Sequence, residues 1–99
     1  MTNATSWNSQ VDKLAKEHQW MLLCNGVHYS EQSMDDGLNE FNDIMREMSS
    51  SRDIPMIDLA KTIPKSTLYF YDDCHFNING AQTAGKQLAD VVAAQRILH

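Results

Sequence analysis

An α/β domain with parallel strands, in the order α-β-α-β-loop-α, is the fold class this sequence predicts. Three observations carry it: three stretches with apolar residues at three- and four-residue spacing, two strand-sized segments between them, and their alternation along the chain. Alternating strands and helices imply right-handed crossovers and a parallel sheet covered on both faces.

Val11, Leu14, Ala15 and His18 recur at helical spacing, which places a first helix opening near Asn8 or Ser9. Trp20-Met-Leu-Leu-Cys24 is a continuous apolar run ending at Asn25-Gly26, as expected of a strand buried on both faces. After a loop to Ser33, that serine is placed to cap the next helix, with Asp35 and Asp36 complementing the positive helix end. Met34, Leu38, Phe41, Met45 and Met48, with Ile44 beside them, then step by four, three, four and three, the pattern of one buried helical face. Met34, Met45, Met48 and Met56 are read as core filler rather than as soft-metal ligands, because flexible thioethers at helical spacing fill apolar gaps.

Ser49-Ser50-Ser51 is expected to break that helix, and Ile54-Pro55-Met56-Ile57-Asp58-Leu59 to form the second strand, with Pro55 near its start or at an edge. Ala60 to His75 reads mostly as loop, interrupted by Pro64 and carrying Tyr69, Phe70 and Tyr71. Asn77 is expected to cap a closing helix with apolar positions Ala81, Ala84, Leu88, Val91 and Val92, where Gly80 and Gly85 permit close packing. Two strands leave hydrophobic sheet edges unpaired, so the sequence implies either a piece of a larger α/β domain or a sheet completed by another chain.

The composition sets further limits. At 99 residues the chain holds one domain at most; at that size about 60–65% of the unfolded surface is buried on folding. A hydrophobic fraction of 42% with 21% charged residues belongs to chains that form a packed core. The net charge of −5, with basic residues scattered, argues against a nucleic-acid footprint. No apolar run approaches the roughly 20 residues of a membrane span. The N-terminus lacks the basic and apolar regions of a secretory signal, so a soluble chain is expected. Cys24 and Cys74 are too few for a disulfide framework and read as free thiols, and Asn3-Ala-Thr5 is a weak glycosylation match.

The chemistry concentrates in Tyr71-Asp72-Asp73-Cys74-His75-Phe76-Asn77, where a carboxylate precedes a histidine by three residues in a loop that runs into a helix. Imidazole shuttles protons near neutral pH. A carboxylate at Nδ1 would fix the tautomer, leave Nε2 free to take a proton from a hydroxyl, and stabilise the resulting imidazolium. Spacing alone also fits a loop histidine beside a capping aspartate; the position between a long loop and the last helix of an α/β chain is what favours chemistry.

Ile54-Pro-Met-Ile-Asp-Leu-Ala60, followed by Phe70-Tyr-Asp-Asp-Cys-His-Phe-Asn-Ile-Asn-Gly80 and a helix, resembles the C-terminal third of SGNH (GDSL-type) hydrolases, whose last block is Asp-x-x-His. Phe41-Asn-Asp-Ile-Met-Arg46 is similar to the helix these enzymes place between their last two strands. The resemblance spans roughly residues 9–97 and is sharpest from Asp72 to Gly80. It implies the C-terminal part of a flavodoxin-like, three-layer α/β/α fold, with residues 1–99 as one partial domain. It also implies a serine esterase acting on carboxylic esters without a cofactor or metal, in which His75 is the catalytic base and Asp72 its partner, ahead of Asp73.

The departures are equally specific. The family's Gly-Asp-Ser nucleophile block, glycine block and Gly-x-Asn-Asp block are absent, and Asn42-Asp43 lies in a helical stretch without the preceding glycine. The chain alone is therefore expected to be inactive. Three alternatives compete with the esterase reading. A zinc site from Cys24, His28, Cys74 and His75 is disfavoured because adjacent Cys74 and His75 do not easily face one ion, and Cys24 belongs to a buried strand. A Cys74 nucleophile beside His75 meets the same objection. A non-catalytic interaction module, pairing through an open sheet edge, would account for the missing serine block but not for the Asp72/His75 pair.

Overall fold

In the computed structural model, which describes residues 1–7 and 23–95, the first regular element is a hairpin. Asn25 and Gly26 both take positive φ, 51° and 78°, as the two central residues of a type I′ turn require. Strand β1 (Leu23–Cys24) therefore folds back on β2 (Val27–His28), with Leu23 opposite His28 and Cys24 opposite Val27. The expected helix from Asn8 and the Trp20–Leu22 part of the expected strand lie outside the described residues.

Helix α1 (Glu31–Arg52) begins one turn earlier than the sequence suggests. Ser30 is its cap, accepting from the Ser33 amide, so Ser33 lies within the first turn and donates to the cap. The serine run does not break the helix, which continues to Arg52 and closes on Asp53 in the left-handed region (φ 52°), whose amide donates to Ser49. Residues 54–58 follow without a strand, and Leu59–Thr62 form a single helical turn, α2. Helix α3 (Ile78–Gln95) opens on Asn77, whose Oδ1 accepts the Gly80 amide at 2.9 Å, as the sequence predicts.

These elements overturn the parallel α/β expectation and, with it, the flavodoxin-like three-layer arrangement. Among the described residues there are helices of 22, 4 and 18 residues, and the strands are an antiparallel pair of two residues each. The apolar run ending in Cys24 leads into a tight Asn-Gly hairpin instead of a crossover. In the second expected strand Pro55 has no N–H to give, and the Asp58 carboxylate is drawn sideways to Arg46, with Nε–Oδ2 at 2.7 Å and Nη2–Oδ1 at 2.9 Å. The open parallel edge through which self-association was expected is thus not part of the described fold. No helix among the described residues is long and apolar enough to cross a membrane.

Ile57, Leu59, Ile63 and Phe70 form the buried apolar core, with Ala4, Tyr69, Phe76, Ala84 and Val91 packed against it. α1 contributes differently from its apolar pattern. Its buried residues are Asp35 and Asn42, while Phe41, Ile44 and Met48 are 53%, 56% and 48% exposed. The cause lies in the N-terminal segment, whose backbone needs polar partners. Asn42 accepts the Asn3 amide at 2.9 Å and donates to the Asn3 carbonyl at 3.0 Å, and Asp35 pairs with Lys65, which also reaches the Thr5 carbonyl. Met34, Leu38 and Met45 of the stripe are half-buried, and Met34, Leu38 and Phe41 line, with Trp7 and Tyr29, an open groove of about 420 Å³.

Thr2 completes a second anchor. Its hydroxyl donates to Asp58 and accepts the Ala60 amide, and its own amide donates to the Ile57 carbonyl. The Arg46 guanidinium, helped by Thr2 and Lys61, holds the Asp58 carboxyl down at about 2 against the effect of burial. A carboxyl depressed by folding contributes stability above its unfolded value, and that contribution is lost as pH falls through the folded value. Asp58, whose side chain is 22% exposed, should therefore contribute on the order of 2 kcal/mol at neutral pH. Urea unfolding of the parent chain should weaken progressively from about pH 4 to about pH 2, and Asp58→Asn should flatten that part of the profile.

The two glycines of α3 predict opposite outcomes. A Cβ on Gly80 would land inside van der Waals contact of the Tyr69 carbonyl oxygen and against the Phe76 ring, whereas nothing approaches one on Gly85. Gly80→Ala should destabilise the chain by about 1–3 kcal/mol, since backbone cannot yield to the added carbon. Gly85→Ala should stabilise it by about 0.5–1 kcal/mol. Chemical denaturation of the two variants checks the pair.

Candidate active site

The loop that carries the chemistry is closed at its base by an antiparallel bridge between Phe70 and Phe76, whose rings lie 5.2 Å apart. The Tyr71 amide donates to the His75 carbonyl, and the Asn77 amide donates to the Tyr69 carbonyl. Below the bridge, Asn77 and Asn79 donate to the carbonyls of Thr67 and Leu68, fixing the start of α3 to the preceding turn. Five residues, Tyr71 to His75, are left to turn between two pinned ends.

Asp72 organises that turn. Its Oδ1 accepts the backbone amides of Cys74 at 2.9 Å and His75 at 2.6 Å, and its Oδ2 lies 2.7 Å from His75 Nδ1. Burial pushes the Asp72 carboxyl up, but the His75 and Cys74 amides, and then the His75 ring, outweigh it and hold it below its ordinary value. An ionised carboxylate only accepts, so the proton on this contact belongs to Nδ1. Nε2 of the neutral ring therefore carries the lone pair. The His75 side chain is 64% exposed, and the Tyr71 ring stacks on it at 5.6 Å between centroids.

The structure thus brings together the two residues that the sequence singled out. Asp73 takes another part: it is buried, and its Oδ2 accepts from the Trp7 indole at 3.3 Å. Nothing in the local pattern signals this contact, nor that of Ser6, whose amide donates to the Asp73 carbonyl and whose hydroxyl donates to the Asp72 carbonyl at 3.1 Å. Both come from residues more than sixty positions away, and both steady the loop from behind.

Cys74 is exposed, with Sγ 3.6 Å from His75 Nδ1. Burial, and then the charges of Asp73 and Asp72, raise its thiol above the ordinary value. An activated thiolate needs the opposite, and the ring nitrogen nearest the sulfur already serves Asp72. These surroundings disfavour the thiolate that a nucleophilic Cys74 would need. The side chains of Cys24 and His28, the other half of the zinc set considered from the sequence, lie outside the described residues. Comparison with protein-family models, with curated proteins and with solved structures finds no match in any of the three.

Proposed function

We propose that this chain supplies the general base and its orienting carboxylate to a serine esterase of the SGNH type. The observation that carries the reading is the Asp72 carboxylate locked by two amides on one oxygen and holding His75 Nδ1 at 2.7 Å with the other. In this scheme Nε2 takes the proton of a serine hydroxyl as its oxygen attacks an ester carbonyl. Asp72 stabilises the imidazolium, and Nε2 then returns the proton to the departing alkoxide.

The reacting serine comes from outside these 99 residues, since no Gly-Asp-Ser block occurs among them. Ser6 does not substitute for it: its side chain is fully buried and its hydroxyl is donated to the Asp72 carbonyl. The exposed Phe41, Ile44 and Met48 of α1 favour a second reading, a non-catalytic interaction module, because clustered exposed apolar side chains mark interaction surfaces.

Co-expression with the N-terminal half of an SGNH hydrolase separates the two. The esterase reading expects the purified chain to be inert toward a serine-directed phosphonate and an activated ester. The assembled pair should gain ester hydrolysis and phosphonate labelling on the serine of the added half. Assembly without hydrolysis supports the interaction module, and labelling of a serine in this chain overturns the assignment of the nucleophile.

A further inference from the structure

The Asp72–His75 turn places a third donor beside the pair. One carboxylate oxygen of Asp72, Sγ of Cys74 and a ring nitrogen of His75 all lie within 4.8 Å of one another. The sequence alone argues that neighbouring Cys74 and His75 should diverge, yet Sγ and Nδ1 are 3.6 Å apart. The reason is the turn itself. Asp72 Oδ1 gathers the amides of both residues, and the Phe70–Phe76 bridge holds the ends, so the two side chains leave the backbone toward the same side.

We propose that Asp72, Cys74 and His75 form a binding site for one thiophilic divalent cation such as Zn²⁺. With Zn–S near 2.3 Å and Zn–N near 2.05 Å at a tetrahedral angle, sulfur and nitrogen ligands of one ion stand about 3.6 Å apart. The observed separation already has that span. The carboxylate and Nδ1 must open from 2.7 Å to about 3.4 Å, a shift of less than about 1 Å that the exposed His75 ring supplies by turning, while the amides of Cys74 and His75 keep the carboxylate in place. Cys74 and His75 are exposed, so the ion has an entry path and keeps water as its fourth ligand.

Binding changes the protonation of the ring. The thiol proton leaves to solvent and Cys74 binds as thiolate. The Nδ1 proton passes to solvent as that nitrogen's lone pair binds the ion, and Nε2 takes a proton from solvent, so the imidazole stays neutral in its other tautomer. A ring with N–H at Nε2 has no lone pair there for a serine proton. The cation is therefore an inhibitor of the base, a consequence that rests on the esterase reading, whereas the site itself does not.

Titration of the purified chain with Co²⁺ tests the site without any esterase partner. One equivalent should give the thiolate-to-cobalt charge-transfer absorption and the strong visible bands of tetrahedral cobalt, and Zn²⁺ should displace both. Cys74→Ser should remove the charge-transfer band, and Cys74→Ser, His75→Ala and Asp72→Asn should each weaken Zn²⁺ binding at least about tenfold. Cys24→Ser should change neither. Absence of the thiolate band, or its loss in Cys24→Ser with retention in Cys74→Ser, overturns the proposal and leaves the esterase reading untouched. Conversely, cobalt binding alongside failed complementation keeps the cation site and removes the esterase.

Discussion

His75→Ala should lower hydrolysis by the assembled esterase about a million-fold, and Asp72→Asn about ten-thousand-fold, with both falls in kcat and little change in KM. Removing the imidazole leaves the serine without a base, so only binding and oxyanion stabilisation remain. The asparagine acts more subtly. Its amide can offer N–H to Nδ1, which stabilises the tautomer protonated at Nε2, so the ring is kept in place while its lone pair faces the wrong way. Asp73→Asn serves as the comparison, because that carboxylate accepts from Trp7 rather than from the ring, and its rate per assembled complex should stay close to the parent's. Initial rates on an activated acetate ester, normalised to assembled complex, measure all three. A His75→Ala complex that assembles and still turns over at the parent rate would remove His75 from the chemistry.

The pair was legible in the sequence because its geometry is local. Three residues of spacing in a turn suffice for one carboxylate to reach both an amide and the ring. The Asn77 cap was legible for the same reason. What failed depended on partners distant in sequence or on a turn signal misread. Asn25-Gly26 marks a type I′ hairpin as strongly as it marks the end of a strand, and the positive φ of both residues decides between them. The α1 stripe from Met34 to Met48 has the period of a buried face, but among the described residues the side of the helix that is fully buried carries Asp35 and Asn42, which meet Lys65 and the backbone of Asn3. Periodicity reports that a helix is two-sided; it does not report which side meets the chain's own core. Likewise Ile54–Leu59 carries strand-like residues, and only the Arg46 and Thr2 contacts of Asp58 show that the segment is pinned by side chains instead of by a ladder.

Phe70→Ala should destabilise the chain by about 3–5 kcal/mol, the largest stability effect expected of any single substitution here. Phe70 is 2% exposed, is one of the four buried apolar core residues among those described, and touches the Phe76 ring across the bridge that closes the active loop. Small domains hold only about 5–15 kcal/mol in total, so a loss of this size consumes a large part of it. Ile57, Leu59 and Ile63 cannot refill the space without moving the N-terminal segment that is hydrogen-bonded beside them at Ile57. The loop should loosen together with the core. His75→Ala, by contrast, removes a side chain that is 64% exposed and should shift stability by less than about 0.5 kcal/mol, so the two substitutions separate folding from chemistry in the same five-residue turn. Urea denaturation followed by far-ultraviolet circular dichroism measures both, and Phe70→Leu, which keeps most of the buried volume, should fall between them. A Phe70→Ala midpoint within about 1 kcal/mol of the parent would mean that this ring is not what holds Tyr71 to His75 in place, and that the hydrogen bonds of Ser6, Asn77 and Asn79 suffice to do so.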